Sequence, residues 1–317
     1  MSRVRCILIA ALSLSSVMAF PACSSSTVAA IDSILPLPAL VPVDQEADLH
    51  LTPHAIAVDP IGRPWILDRA RGRVLLLGGG DSPGRSMSVA DTRIRGAFPF
   101  ADIAASGAYL FLLEPASPSL TLLDLDGYAR ERVDLAHEVE LAGEAGFSAA
   151  RLLVGRSGDL WLIDPRGKVL HFDRRGRFLD APLDGLAGDD RPTRIADAAL
   201  AQDDGVVLLD PGTSSLVTLP AAGGRQPSLQ LGGRLAEPAA LAVDEDGTCF
   251  LLESSGRIRA IAPGGAILYD GVPRDENEIA LGRACITADG ILMRADPAGG
   301  TISRWRIVRT SSEDEER

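Results

Sequence analysis

Five ionisable side chains occupy positions at which corresponding segments of this sequence carry Ala or Gly. Arginine guanidinium groups bind carboxylates and phosphates through paired hydrogen bonds, so Arg151 and Arg283 predict a site for a small anion or an acidic peptide. In the alternative interpretation, the two arginines pair with Asp102, Asp197 and Glu237 around the rim of the same site. The full set of candidate ligand-binding residues is His54, Asp102, Arg151, Asp197 and Arg283.

Other kinds of catalytic chemistry have little support in the residue inventory. A catalytic zinc site needs about three converging His ligands, but the four His residues of the chain do not fall at equivalent positions. A lactonase-like site with a divalent ion would combine a carboxylate with an amide, and Asn277 is the one Asn in the chain. No nucleophile elbow, P-loop or dinucleotide fingerprint is present. We therefore expect no catalytic residue, no metal ligand and no cofactor.

The elements that would position these side chains repeat along the chain. A Gly, an apolar run and an acid recur six times, with the acids 46, 50, 46, 43 and 43 residues apart. A period of this size with several short strands per unit indicates a β-propeller. The acids that end the six runs are Asp68, Glu114, Asp164, Asp210, Glu253 and Asp296.

Each unit contains signals for four strands. An apolar strand precedes the Gly, a second ends at the acid, and a third and a less regular fourth follow a polar turn. Because the acid is present in every unit, we expect it to accept hydrogen bonds from backbone N–H groups of the next turn. Trp65 and Trp161 are equivalent and predict packing between blades. The predicted fold is an all-β, six-bladed propeller with four-stranded antiparallel blades.

The N-terminal segment is expected to close the ring. The sixth unit stops after its third strand, while residues 28–43 precede the first unit and belong to no blade. Three Pro residues in "ILPLPALVPV" exclude a central strand but suit an outermost edge. The predicted boundaries are a signal peptide at 1–22, a linker with the closing strand at 23–45, the propeller at 46–308 and a disordered acidic tail at 309–317.

Alignment of the units on the turn Gly gives two columns at the mouth of the predicted channel. The first column reads His54, Ala101, Ala150, Asp197, Ala239 and Gly282. The second column reads Ala55, Asp102, Arg151, Ala198, Ala240 and Arg283. Small residues are the structural default at a crowded axis, so the ionisable exceptions form the candidate site.

"PHAIAVDPIGRPWILDRARGRVLLL" and "EPAALAVDEDGTCFLLESSGRIRAI" resemble NHL repeats. Their shared features are a Pro, an apolar-Ala-Val-Asp run, a Gly, a second apolar strand ending in an acid, and a later Arg. The resemblance covers residues 50–308 and implies a propeller. It implies little about function, because the family includes lyases, relatives of lactonases and binding scaffolds.

The N-terminus predicts export. Arg3 and Arg5 precede a short apolar run of the kind found in signal peptides. The following "FPAC" resembles the lipobox of bacterial lipoproteins, which implies lipid attachment at Cys23 and a periplasmic or outer-membrane location. Cys249 and Cys285 could form a disulfide or remain as two free thiols.

The formal net charge of −12 argues against nucleic-acid partners, which require clustered Lys and Arg. Together these features predict a non-enzymatic, membrane-anchored scaffold that binds a protein or a small anionic ligand. The alternative is a hydrolase, lactonase-like or lyase-like enzyme with a divalent ion in its central channel.

Overall fold

The computed structural model describes residues 29–40, 43–44, 49–50, 52–77, 85–88, 100–115, 118–144, 146–184, 186, 191–223, 226–232, 235, 238–273 and 282–310. Within these ranges the protein consists of β-strands with one short helix, α1 (Ala136–Leu141). The strands form six four-stranded antiparallel sheets, which confirms the predicted six-bladed propeller.

Five blades are built from strands consecutive in the chain. Blade one contains β4 (Ala55–Val58), β5 (Pro64–Asp68), β6 (Arg73–Leu76) and β7 (Arg85–Ser88). Blade two contains β8 (Asp102–Ser106), β9 (Tyr109–Glu114), β10 (Ser119–Asp124) and β11 (Ala129–Asp134). Blade three contains β12 (Arg151–Val154), β13 (Leu160–Asp164), β14 (Lys168–Phe172) and β15 (Phe178–Asp180). Blade four contains β16 (Asp197–Leu200), β17 (Val206–Asp210), β18 (Ser215–Leu219) and β19 (Leu229–Gln230). Blade five contains β20 (Pro238–Val243), β21 (Cys249–Glu253), β22 (Ile258–Ile261) and β23 (Ile267–Gly271).

Blade six joins the two ends of the chain. Its first three strands are β24 (Ala284–Ile286), β25 (Ile291–Asp296) and β26 (Thr301–Arg309), and its outermost strand is β1 (Ile31–Leu40). β1 runs antiparallel to β26, with Ile34 opposite Ile307. The N-terminal segment therefore closes the ring as predicted, and it covers an edge that would otherwise be open.

Two features lie at the margins of the blades. β2 (Val43–Asp44) and β3 (Leu49–His50) pair with each other in a separate sheet between the closing strand and blade one. β26 continues through Arg309, and the N–H of Thr310 donates to the carbonyl of Ala30. The ordered ring thus extends two residues into the range that the sequence assigned to the tail.

The apolar core is divided into six clusters, and each lies between two adjacent blades. Trp65 is fully buried between blades one and two, and Trp161 lies between blades three and four, as predicted from their equivalence. Trp305 packs against Ile31 and Ile34 of the closing strand. Burial between blades therefore holds the ring together.

Three of the six repeated acids connect two segments of their blade. One oxygen of Asp210 accepts the N–H of Gly212 in the following turn, at 2.8 Å, and the other accepts the N–H of Thr193 before the inner strand, at 3.0 Å. Asp68 and Asp164 make the same pair of contacts in their own blades. Asp296 accepts only from the following turn among the described residues.

The two glutamates depart from this pattern. Glu114 accepts hydrogen bonds from the side chains of Ser119 and Arg132, and Glu253 forms an ion pair with Arg259 at 3.1 Å. The longer side chain reaches past the turn to the neighbouring strand, so the expected turn bonds are confirmed for the aspartates only.

Several sequence-based predictions concern residues outside the described ranges. These are the signal peptide, Cys23 and residues 311–317. In the part of the chain that the structure describes, no helix has the length and apolar character needed to cross a membrane.

Candidate functional site

Four of the five predicted site residues meet where the inner strands begin. Asp102 of blade two, Arg151 of blade three, Asp197 of blade four and Arg283 of blade six form one cluster of ion pairs, which we call the quartet. Arg151 Nη2 lies 3.0 Å from Asp197 Oδ1, and Arg283 Nη2 lies 3.1 Å from Asp102 Oδ2. The quartet contains two positive and two negative groups, so its charge is balanced.

The strand register corrects the alignment derived from the sequence. Asp197 pairs with Leu209 as Arg151 pairs with Ile163, and both are the first residues of their inner strands. Asp197 therefore belongs in the column of Asp102, Arg151 and Arg283, and Ala196 takes the position of His54. The alignment was off by one residue in blade four because the spacing to the turn Gly differs there.

The guanidinium groups face carboxylates and carbonyls. Arg151 Nε and Nη2 donate to the carbonyl of Ala198 at 3.1 and 3.0 Å. Arg283 crosses from blade six and donates to Asp197 at 3.2 Å and to the carbonyl of Ala150 at 2.5 Å. These contacts match the interpretation in which the two arginines pair within the protein. Glu237, the third proposed partner, lies outside the described residues.

The two aspartates also link blades to each other. Asp102 Oδ2 accepts the N–H of Leu152 in blade three, and Asp197 Oδ2 accepts the N–H of Leu241 in blade five, each at 2.8 Å. A carboxylate with a backbone donor on one side and a guanidinium on the other is fixed in orientation. The quartet therefore links several blades at this mouth of the channel, and we call it the plug from here on.

Burial sets the protonation behaviour of the plug. It raises the pKa of Asp102 to about 6, despite the opposing charge of Arg151, and it also raises the pKa of Asp197. Asp102 Oδ1 accepts no hydrogen bond from the described residues and lies 3.8 Å from Arg151 Nη1. Incomplete solvation of this oxygen is consistent with the raised pKa.

His54, the fifth predicted residue, lies half-buried beside the plug. Its backbone N–H donates to the carbonyl of Leu67 at 2.8 Å. Burial, with a smaller effect of Arg69, lowers the pKa of His54, while Asp102 and Asp68 oppose that change. The imidazole is therefore neutral at pH 7 and adds no charge to the quartet.

A large cavity opens at the opposite end of the same inner strands. Its volume is about 1150 Å³, and all six blades contribute to its lining through the turns that follow their inner strands. Asp102 is the first residue of β8 and Ala105 lies close to its other end, so a rise of about 3.3 Å per residue separates them by about 10 Å. We call this space the turn-side cavity.

Six apolar residues, one from each blade, form a ring in the lining of this cavity. Each lies three residues after the second-column residue of its blade, once Asp197 is placed in that column. Five of the six are only half-buried, although each packs against a different inter-blade cluster. The members of this apolar ring are Val58, Ala105, Val154, Leu200, Val243 and Ile286.

The rim above the apolar ring is strongly acidic. Six carboxylates and two guanidinium groups line it. Sequence reasoning missed this cavity because it considered only the starts of the inner strands. The signal that could have found it is the acidic residues that follow those strands, namely Asp59, Asp204, Asp244, Glu245, Asp246 and Asp289.

The donor set at the plug does not fit a metal centre. Asp102 and Asp197 are already neutralised by Arg151 and Arg283. Among the described residues, no three His, Cys, Asp or Glu side chains come together in an arrangement that could hold a metal ion.

The two cysteines of the propeller are free thiols. Cys249 and Cys285 form no disulfide, which decides between the two alternatives left open by the sequence. Burial raises the pKa of both thiols to about 12, so neither is a thiolate near neutral pH.

Comparison with solved structures identifies other propellers of the same fold. A streptogramin B lyase superposes with a TM-score of 0.57 at 11% identity, over 87% of this chain and 98% of that one. A catalytically inactive virginiamycin B lyase from Staphylococcus aureus, solved with quinupristin, gives 0.58 at 13% identity, over 89% and 90% of the two chains. A protein of unknown function from Bacteroides thetaiotaomicron gives 0.57 at 14% identity, over 81% and 70%.

At these identities the comparisons show the fold alone. No family model matches the chain, and no curated protein matches it. The similarity to NHL repeats therefore rests on the sequence motifs.

Proposed function

We propose that the protein is a non-enzymatic, extracytoplasmic binding module, held at a membrane by a lipid on Cys23, which binds its ligand or protein partner in the turn-side cavity. The observation that carries this proposal is the asymmetry of the channel. At one end the ion-paired quartet lies across the channel, while the other end opens into a cavity of about 1150 Å³.

The difference between the two ends of the channel supports binding in the turn-side cavity. At the plug, the charged groups are paired with one another and with backbone carbonyls, so they contribute to the ring rather than to a ligand. At the cavity, half-buried apolar side chains line a concave surface together with exposed charged ones. Concave, partly apolar spaces with a few charged groups are the usual form of small-molecule and peptide sites.

The anchoring part of the proposal rests on the sequence. The signal-like segment and the "FPAC" motif support a cleavage that would leave Cys23 as the first residue, and β1 begins at Ile31. A short tether would therefore connect the lipid directly to the outer edge of blade six. Mass spectrometry of the purified protein tests this: a diacylated Cys23 at the new N-terminus is expected, and an unmodified N-terminus elsewhere would contradict it.

The binding role can be tested by occluding the cavity. Ala105 is a half-buried member of the apolar ring, so Ala105→Phe places a larger side chain in the cavity. Native partners or ligands co-purifying with the wild type should be lost from this variant. Ala181→Phe, at a half-buried site away from the cavity, is the matched control and should retain them. Equal recovery from the occluded variant and the wild type would contradict binding in the cavity.

A lyase-like activity is the second candidate, because the similar folds include a streptogramin B lyase and a virginiamycin B lyase. Incubation with quinupristin and a divalent ion, followed by chromatography, discriminates between the two functions. Conversion of quinupristin that is abolished by Ala105→Phe would favour the enzyme, whereas unchanged quinupristin is expected for a binding module.

A further inference from the structure

We infer that the turn-side cavity selects an organic cation with an apolar body, whose apolar part lies on the apolar ring and whose positive group lies against the acidic rim of blades five and six. This inference rests on the proposed function, because it names the class of ligand for the same cavity.

The base of the cavity provides the apolar half of the site. Val58, Val243 and Ile286 belong to three adjacent blades and remain half-buried, so they present apolar surface to the cavity. A bound apolar group would complete the burial of this surface, at about 25 cal/mol per Å² removed from water. A hydrated inorganic cation would gain nothing from the apolar ring, and this favours an organic ligand.

Part of the negative charge of the rim is neutralised within the protein. Asp59 accepts hydrogen bonds from Arg63 at 2.7 Å and from the indole of Trp65 at 3.1 Å. Asp244 forms a close ion pair with Arg309, which also lies 3.5 Å from Asp246. These acids support the turns and the ring closure, so they are poor candidates for contact with a ligand.

Of the remaining three carboxylates, that of Asp204 in blade four accepts a backbone N–H from blade three at 3.1 Å, and the other two lie on one side of the rim. Within the described ranges, Glu245 of blade five and Asp289 of blade six form no ion pair, and both are exposed at the cavity. Asp289 accepts a hydrogen bond from the hydroxyl of Thr287, which leaves its charge in place. Arg156 of blade three is the rim guanidinium for which the described part of the chain supplies no ion-pair partner. A cation is therefore attracted to the side formed by blades five and six.

The size of the cavity sets the scale of the ligand. Small-molecule sites commonly measure about 300–1,000 Å³, and the volume of about 1150 Å³ accommodates a ligand at the upper end of that range. An anion of similar shape would meet the acidic rim, and the net charge of −12 would add long-range repulsion.

Three probes with the same apolar body test the charge preference: 4-phenylbutylamine, 4-phenylbutanol and 4-phenylbutyrate. Titration calorimetry on the purified full chain measures the affinity of each. The amine should bind at least about fivefold more tightly than the alcohol, and the butyrate most weakly. The advantage of the amine should shrink as salt is raised, because rim carboxylates are screened.

Two double variants test which carboxylates cause the preference for the amine. Glu245→Gln with Asp289→Asn should weaken binding of the amine about tenfold, as expected for two exposed charge pairs, and should leave the alcohol unchanged. Glu131→Gln with Glu140→Gln removes the same charge from exposed positions on β11 and α1, and should leave all three affinities unchanged. Ala105→Phe should abolish binding of every probe. Ala201→Phe, at another lining residue, repeats this test if the first variant fails to fold.

The outcomes separate the inference from the proposed function. Equal binding of the amine and the butyrate, or unchanged binding of the amine in the Glu245/Asp289 variant, overturns the charge preference but leaves a cavity that binds. Absence of binding by any probe, together with loss of native partners on occlusion, overturns the small-cation inference and retains the proposed function. If no probe binds and occlusion of the cavity causes no loss of native partners, both the inference and the proposed function are overturned.

Discussion

Arg283 reaches across the central channel from blade six, and its Nη1 lies 3.2 Å from Asp197 Oδ1 of blade four. The same guanidinium group lies 3.1 Å from Asp102 of blade two. One side chain thus joins three blades that are not neighbours, in addition to the apolar clusters that join adjacent blades. Substitutions in the plug can therefore be used to measure its contribution to the free energy of unfolding without changing the residues of the turn-side cavity.

Removal of Arg283 should be strongly destabilising. Arg283→Ala leaves the buried carboxylates of Asp102 and Asp197 with one cation instead of two, and loss of one partner from a buried ion pair costs about 3 kcal/mol or more. Urea denaturation should show this decrease in the free energy of unfolding. Arg130→Ala breaks an exposed pair with Asp124 and should cost less than about 1 kcal/mol. Equal effects of the two substitutions would contradict the structural role of the plug.

The stability of the plug should also depend on pH. Burial raises the pKa of Asp102 to about 6 from 3.8, so the folded state binds a proton more tightly than the unfolded state does. The resulting stabilisation is complete below pH 4 and is lost as the pH rises through 6. The difference in the free energy of unfolding between wild type and Asp102→Asn should therefore decrease over that window, as measured by urea denaturation at several pH values.

Asp124 provides the control for this titration because its pKa shifts in the other direction. Desolvation acts to raise the pKa of Asp124, but hydrogen bonds from Tyr128 and Arg130 lower it overall. The stabilisation from Asp124 is present above pH 4 and is lost only at lower pH. The difference between wild type and Asp124→Asn should stay constant from pH 4 to 7, and a slope like that of Asp102→Asn would contradict the assignment to the plug.

The fold could be predicted well from the sequence because the same strand pattern recurs in all six blades. A Gly turn, a buried strand and an acid recur in every blade, so an error in one copy is corrected by the others. The site was harder to predict because it depends on where the copies differ. A single residue of misalignment moved Asp197 out of its column, and only the pairing of Asp197 with Leu209 restored it.

The turn-side cavity was not predicted for a different physical reason. Its acidic rim comes from turns, in which Asp is common because it caps backbone N–H groups. Asp59 and Asp244 do cap their turns, because they accept hydrogen bonds from the backbone N–H groups of Arg63 and Thr248. The sequence alone cannot distinguish these turn-capping acids from Glu245, whose carboxylate is exposed at the cavity.

The repeated aspartates should contribute more to stability than other turn acids do. Asp210 is fully buried and accepts backbone hydrogen bonds from Gly212 and Thr193, so Asp210→Ala leaves two N–H groups without their acceptor. We expect a loss of about 2–3 kcal/mol in the free energy of unfolding. Asp203 is an exposed acid whose one hydrogen-bond donor among the described residues is the N–H of Gly205, so Asp203→Ala should cost less than about 1 kcal/mol. If the free energies of unfolding of these variants differ by less than a few tenths of a kcal/mol, the hydrogen bonds of Asp210 do not stabilise the blade.

Closure of the ring by β1 gives the most direct test of the architecture. Ile34 is 3% exposed and packs with Trp305, whereas its neighbour Leu35 is 49% exposed on the same strand. Ile34→Ala should therefore cost about 2–4 kcal/mol, and Leu35→Ala less than about 1 kcal/mol, as measured by urea denaturation. Deletion of residues 24–40 should lower the thermal midpoint further, because it also exposes the edge of β26 and the side chain of Trp305. The fluorescence of Trp305 should then shift to longer wavelength. An unchanged midpoint after the deletion, or equal costs at Ile34 and Leu35, would show that β1 does not close the propeller in solution.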